Sequence, residues 1–597
     1  MQQLKTEFSA GLSDHTILSE YPRPSMVRTS YLNLNGLWHY TFTKEDSFPQ
    51  QYDGQILVPF SPESALSGVM RQLQPDETLW YMRPLSVVRP QPGKRLLLHF
   101  GAADQYAQVY INRTEAGSHS GGYLPFTLDI TDFVFSGDNE LLVKIRDVSD
   151  TSWHSRGKQS LHPGGMFYTA QSGLWQTVWA EVVPDNYIEG IFYFPDFDNS
   201  SLHVKVVTAR ESELTCTITG DGAEPITLSA ATNEEFMVEL PGFHPWSPED
   251  PFLYQVKLRA GQDRVSSYFA MRKCDIQTDA SGKRRFFLNN RPYFQAGVLD
   301  QGYWPEGLYT APSDAAFIAD ITRMKELGFN MLRKHAKIEP ERFYYHCDRL
   351  GMLVWQDMVN GGTPYHSWFV TYLATLMNWR RISYSDQKKH RKLLSRRDEE
   401  GCREFLQEME ETIAFLYNHP CIVVWVPFNE GWGQFDAAQT AERIRELDAT
   451  RLVDHASGWF DQKGGDIVSL HYYFFTLKFK AESRRALALT EFGGYSCSIP
   501  EHSACSKVYG YKKFNAVGPL TDAYQELIEK TVLPAVEQGI SATIYTQLSD
   551  IEEETNGIYT YDRKICKLDP DVVRRLNRKL KEAVLPASVH DNRDTAT

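Results

Sequence analysis

The chain has 597 residues, 42% hydrophobic, 13% aromatic and 23% charged, and its 76 acidic against 62 basic side chains leave a net charge of −14. That length exceeds what one hydrophobic core supports and predicts about two to four domains. The negative balance argues against non-specific nucleic-acid binding and against docking on an anionic membrane surface.

The first residues, MQQLKTEFSAGLSD, lack the apolar core of a signal peptide, and no apolar run reaches the length of a membrane-spanning helix. Eight cysteines are scattered without Cys-x-x-Cys spacing. They predict reduced thiols in a cytoplasmic protein, not a disulfide framework or a zinc site.

Residues 1–183 read as all-β. Short alternating runs at 37–43, 95–100, 107–111, 140–146 and 177–182 are separated by turn signals such as Ser136-Gly137-Asp138-Asn139. The pattern predicts a jelly-roll β-sandwich. Its last hairpin region, residues 164–179 (GGMFYTAQSGLWQTVW), is rich in glycine and aromatics and has the composition of a loop that projects from the sandwich. Residues 184–278 hold a second set of short alternating strands, which suits an immunoglobulin-like β-sandwich acting as a spacer.

From residue 279 strands and helices alternate. Strands are expected at 292–300, 330–335, 353–358, 422–426, 452–457, 467–472, 487–491 and 540–547, with helices at 314–327, 340–350 and 399–417. Eight strands in this order predict a (β/α)8 TIM barrel over 279–597, in which reactive groups sit at the carboxyl ends of strands. Those ends hold Asp300, Arg333, Lys334, His335, Trp355, Asp357, Asn429, Glu430, His455, His471, Tyr472, Tyr473, Glu491 and the run from Thr546 to Asp550.

Two of these residues define a chemistry. The run CIVVWVPFNEGWG (421–433) is apolar until it ends in Glu430, and ALALTEFGG (486–494) is apolar until Glu491. A carboxylate at the mouth of a buried strand is costly unless it is paired or used. Two glutamates facing each other across a barrel mouth suit glycosidic-bond hydrolysis. A separation of about 5–5.5 Å gives retention and about 6.5–9.5 Å gives inversion. The shorter gap is expected here. Asn429 is placed to hydrogen-bond a sugar hydroxyl.

On these motifs the whole chain resembles glycoside hydrolase family 2, the group of β-galactosidases, β-glucuronidases and β-mannosidases. FFLNNRPYFQAGV resembles the family's first barrel strand, and ELGFNMLRKH and DRLGMLVWQDM resemble the second and third. VPFNEGWG resembles the acid/base motif and TEFGG the nucleophile strand. The resemblance implies jelly roll, immunoglobulin-like sandwich and barrel in that order. It also implies a retaining exo-β-glycosidase without organic cofactor, Glu430 as acid/base and Glu491 as nucleophile. Family β-glucuronidases hold the sugar carboxylate with an Asn-x-Lys motif before Gly-Ile-Phe/Tyr-Thr. Here the stretch reads Glu554-Thr555-Asn556-Gly557-Ile558-Tyr559-Thr560, and the absent lysine speaks against a plain glucuronidase. Arg333 has two readings: a bidentate partner for a uronic acid, or a brace for a barrel carboxylate such as Asp357 or Glu430.

The expectation is therefore a β-galactosidase or β-hexuronidase acting on a small glycoside or oligosaccharide. Asn429, His335, Arg333, Asp300, Trp432, His471, Tyr473 and Trp355 are the candidate sugar contacts, and no metal site is assigned. Self-association into a homo-oligomer stays open. The insertion at 359–397, with Tyr365, Trp368, Trp379 and the basic run 388–392, is expected to wall the pocket. The rival readings are a glucuronidase, a non-catalytic carbohydrate-binding barrel, and a lyase or transferase on the same scaffold.

Overall fold

The computed structural model describes residues 2–12, 17–220, 222, 224–366, 368–380, 382–473 and 477–584. The first domain is two packed antiparallel sheets. One has six strands, ordered Gly54–Val58, Gly36–Thr43, Thr78–Val87, Gly137–Arg146, Tyr106–Ile111, Thr114–Ser120. The other has four, ordered Leu32–Asn33, Val178–Pro184, Lys94–Phe100, Phe126–Asp129. Alternation puts Leu96, Leu98 and Phe100 of one strand against Val109, Leu141 and Val143 in a shared core. The second domain is a smaller sandwich of three and four strands with its own core around Val204, Leu214 and Leu258.

A three-stranded sheet (Cys274–Thr278, Arg284–Leu288, Arg291–Pro292) leads into the barrel. It lies against the barrel's amino ends: Arg285 donates to the carbonyls of Val536 and Ile540, and Phe286 packs on Trp355.

The barrel strands are β1 (Gln295–Asp300), β2 (Met331–Lys334), β3 (Leu353–Asp357), β4 (Ile422–Val426), β5 (Leu452–Val453), β6 (Ile467–Tyr472), β7 (Ala486–Gly493) and β8 (Ile540–Thr546). The parallel ladder runs β5-β4-β3-β2-β1-β8-β7-β6. Helices α1 (Asp314–Glu326), α2 (Glu341–Leu350), α3 (Glu399–Leu416) and α4 (Ala437–Leu447) cover it, with α5 (Val517–Leu527) before β8 and α6 (Pro570–Glu582) after. Because helices cover the outside and side chains fill the inside, β4 and β7 are buried at every position. This is why they read as unbroken apolar runs.

The β5–β6 seam lacks a ladder. Val453 and Asp466 close it instead: the Asp466 N–H donates to the Val453 carbonyl at 2.8 Å and the Val453 N–H to Asp466 Oδ2 at 2.8 Å. The fifth strand is accordingly shorter than the run 452–457 predicts. Past Val453 the chain leaves the ladder, and Ser457 instead bridges Asn429.

Candidate active site

Strand β4 ends at Val426, and the chain turns through Pro427 and Phe428 to Asn429 and Glu430. Glu430 holds a left-handed backbone (φ 51°), pinned by its N–H on the Ser457 carbonyl at 2.8 Å. A non-glycine residue in that region is strained and is tolerated where surrounding contacts enforce it. Its side chain reaches solvent, and Oε1 accepts a 2.8 Å hydrogen bond from His471 Nδ1.

Glu491 sits on β7 where the ladder to β8 slips between Leu489 and Phe492, and the β6 ladder slips at His471. Such irregularities re-aim side chains at a sheet's functional end. Glu491 Oε1 accepts from Arg333 at 3.1 Å and Oε2 from the Tyr473 hydroxyl at 2.6 Å, and His471 Nδ1 lies 3.6 Å from Oε2. One oxygen of each glutamate and the His471 nitrogen lie within 4.8 Å of one another. The two carboxylates therefore converge on one small volume.

Burial alone would push the Glu491 carboxyl up, but His471, Arg333, His335 and the Tyr473 hydroxyl together hold it well below the ordinary carboxylate range. Burial pushes His335 itself down, with the charge of Lys158 adding to it. Arg333 and Tyr473 are the two groups that hydrogen-bond the anion directly, one on each oxygen. Burial and the adjacent Glu491 raise the Tyr473 phenol well above its usual value, so it stays a donor.

Arg333 is fully buried, and all five of its N–H groups face protein acceptors. Two go to Asp357 (2.9 and 3.0 Å), one to Asn429 (2.9 Å), one to Glu491 (3.1 Å) and one to the Thr490 carbonyl (3.3 Å). Of its two expected roles the bracing one holds, because no donor is left for a sugar. His335 is oriented by the same Asp357, 2.6 Å from Nδ1. Asn429 is held by Arg333 at the floor of the site.

Two expected sugar contacts are misplaced. Asp300 points to the outer face of β1, where Lys334 binds it at 2.6 Å, because the pleat sends Asp300 and its register partner Lys334 away from the interior. Trp355 points inward but lies in a deep layer, fully buried, with its indole N–H on Gln295 at 2.6 Å. Trp432 is at the mouth but its ring joins a triangle with Phe167 and Tyr365, 5.2 Å from each while those two lie 6.2 Å apart between centroids, so it forms a wall. His471 and Tyr473 both touch the glutamates.

Several site residues were not singled out in the sequence. Tyr511, on the loop after β7, stacks on Tyr473 at 4.0 Å. The glycine- and aromatic-rich hairpin of the first domain does project, and it reaches the barrel. Glu552 accepts from the Thr169 N–H (3.0 Å), Glu553 from the Gly165 N–H (2.9 Å) and Glu554 from the Tyr168 hydroxyl. The acidic run thus docks this hairpin, which carries Phe167 to the Trp432 wall and buries Tyr168 against Tyr303. The composition of residues 164–179 was the available signal.

Among the described residues, Glu430, His471 and Glu491 form the one cluster of three possible metal-donor side chains. Both Glu491 oxygens already accept from Arg333 and Tyr473, and the His471–Glu430 contact has hydrogen-bond length, so the arrangement suits proton handling.

Models of the glycosyl hydrolase family 2 match the chain in three consecutive pieces. These are its sugar binding domain (residues 67–167), its central domain (186–272) and its TIM barrel domain (282–554). The chain belongs to glycosyl hydrolase family 2. It is 23% identical over 464 residues to a β-galactosidase of Thermoanaerobacter pseudethanolicus, covering 73% of this chain and 57% of that protein. It is 23% identical over 380 residues to a putative β-glucuronidase of Formosa agariphila, covering 59% of this chain and 39% of that one. The chain thus aligns with less than two thirds of the length of both. A β-glucuronidase structure from an uncultured Clostridium sp. superposes with TM-score 0.72 at 18% identity, covering 93% of this chain and 99% of the other.

Proposed function

We propose that this protein is a retaining exo-β-glycosidase that releases a terminal β-linked hexose or hexuronic acid, of galactoside or galacturonide type. The observation that carries the reading is the meeting of Glu430 and Glu491 oxygens within 4.8 Å around His471, the spacing that suits double displacement. The ionised Glu491 attacks the anomeric carbon, forming a carbon–oxygen bond as the bond to the leaving oxygen breaks. Glu430 gives its proton to that oxygen. With Glu491 esterified, Glu430 then takes a proton from a water that attacks the same carbon from the face opposite the ester; the carbon–oxygen bond to Glu491 breaks as the new one forms, which frees the sugar and restores both glutamates. Arg333 and Tyr473 keep Glu491 charged and aimed, and Asn429, tied to Arg333, is placed to meet a sugar hydroxyl.

The β-galactosidase and β-glucuronidase relatives support this class of substrate. All eight cysteines are free thiols, which suits a reducing compartment such as the cytoplasm. No helix among the described residues is long and apolar enough to cross a membrane.

The test is kinetic. Glu491→Gln should lower kcat on nitrophenyl β-glycosides by about 10⁴-fold or more without altering the folded state, as removal of a covalent nucleophile does. Retention of substantial activity in Glu491→Gln removes the nucleophile assignment. A wild-type protein that binds sugars but turns none over supports the carbohydrate-binding rival.

A further inference from the structure

One wall of the pocket comes from the first domain, and it is clamped. The N–H groups of Arg156 and Gly157 both donate to the Asn360 carbonyl at 3.0 Å, and Arg156 also donates to the Gly362 carbonyl at 2.6 Å. Gly157 has φ 60°, and a Cβ there would lie 2.6 Å from the Ala336 carbonyl, so glycine is what lets this backbone approach the exit of β2. The next residue is Lys158. Its carbonyl accepts from the Tyr168 N–H at 2.9 Å, which fixes its direction.

The Lys158 ammonium lies 5.9 Å from the ring centroids of both Tyr168 and Trp432. It is close enough to His335 for its charge to count among those that push that imidazole down. Among the described residues it forms no ion pair, although acids surround the site. Glu554 is engaged by the Tyr168 hydroxyl and by Asn556, Glu553 by Lys507 and the Gly165 N–H, Glu430 by His471, and Glu491 by Arg333 and Tyr473. Arg333 has spent every donor. Lys158 is therefore a cation at the pocket wall whose charge no carboxylate of the described chain neutralises. Lysine is a compact point charge suited to an oxyanion.

We propose that Lys158 binds an oxyanion carried by the substrate sugar, a uronic acid carboxylate or a sulfate ester, so that the N-terminal sandwich sets the charge specificity of a site whose chemistry belongs to the barrel. This assignment rests on the glycosidase reading.

The experiment compares wild type, Lys158→Gln and Lys158→Arg on nitrophenyl β-galacturonide, β-glucuronide, β-galactoside 6-sulfate, β-galactoside and β-glucoside. Wild type should prefer an anionic substrate. Lys158→Gln should lose about 10–100-fold in kcat/KM on it, chiefly through KM, as loss of a charged hydrogen bond does. Turnover of neutral glycosides should stay within about threefold, and Lys158→Arg should recover part of the loss. Which of the uronides and the sulfate shows the loss identifies the oxyanion. Equal losses on neutral and anionic sugars, or a wild type that prefers neutral ones, overturn the assignment and leave the glycosidase standing. No turnover of any substrate, with no sugar ester trapped on Glu491 by a 2-deoxy-2-fluoroglycoside, overturns both.

Discussion

Arg333 and Lys334 are neighbours on β2, and both are buried cations at the same barrel height, yet they serve opposite faces. Arg333 points inward, ties Asp357, Asn429 and Glu491 together, and so bears on the charge of Glu491, the proposed nucleophile. Lys334 points outward, joins Asp300 (2.6 Å) and Glu339 (2.8 Å), and sits 4.2 Å from the Phe343 ring centroid of α2. Lys337 completes this outer cluster through Glu339, at 2.8 Å. The outer cluster buries as much charge as the inner one and fastens β1 and β2 to the segment that leads into α2. Burial and pairing of charge therefore do not by themselves mark catalysis. The side of the pleat decides, because a shift of one residue reverses the face.

Breaking the inner cluster should have the largest effect. Arg333→Met strands two buried carboxylates and should cost about 3–5 kcal/mol of stability. It should also lower kcat by about 10²-fold or more as Glu491 loses its brace. The Glu491 carboxyl is depressed in the folded protein, so its contribution to stability is present above the unfolded pKa and is lost as pH falls through the folded one. Removing Arg333 raises the folded value. Both the acid limb of kcat/KM and the onset of acid unfolding should move to higher pH. An acid limb that stays in place means that Arg333 does not tune the nucleophile.

Lys334→Met sharpens the contrast. It should cost a similar amount of stability, about 3–5 kcal/mol, by stranding Asp300, while Glu339 keeps Lys337 at 2.8 Å; kcat should change only a few-fold and the acid limb should stay still. Thermal unfolding and pH–rate profiles of the two variants, side by side, separate scaffold from site.

The smallest effect is a pH slope from the outer cluster alone. Burial pushes the Lys337 ammonium down to about 8, with Glu339 opposing. Between that value and the ordinary lysine range the unfolded chain binds the extra proton, so this group makes the protein more stable as pH rises through the interval. Lys337→Met should remove that slope in denaturant titrations. An unchanged difference between the proteins across this pH range contradicts it.

The barrel and its glutamates were legible because β4 and β7 are apolar on both faces and each ends in one acid, a pattern the doubly covered strand imposes. The sugar contacts were less so. Asp300 and Arg333 sit at adjacent strand ends, and nothing local says which faces inward; only the register between β1 and β2 does. Trp355 reads like a strand-end aromatic but is one layer too deep, since its height is set by packing on Phe286. Lys158 lies 272 positions before Glu430, and its place depends on docking between domains. The three carboxylates of the acidic run 552–554 accept from the hairpin that brings Phe167 to the mouth, a contact between domains that no local pattern announces.

Double displacement by Glu430 and Glu491 at one anomeric carbon leaves the released sugar in its original β configuration. Proton NMR of the first sugar released from a turned-over β-glycoside, recorded before mutarotation, reads this out. The β anomer should appear first and the α anomer only as it equilibrates; an initial burst of α anomer means single displacement by water and contradicts the account.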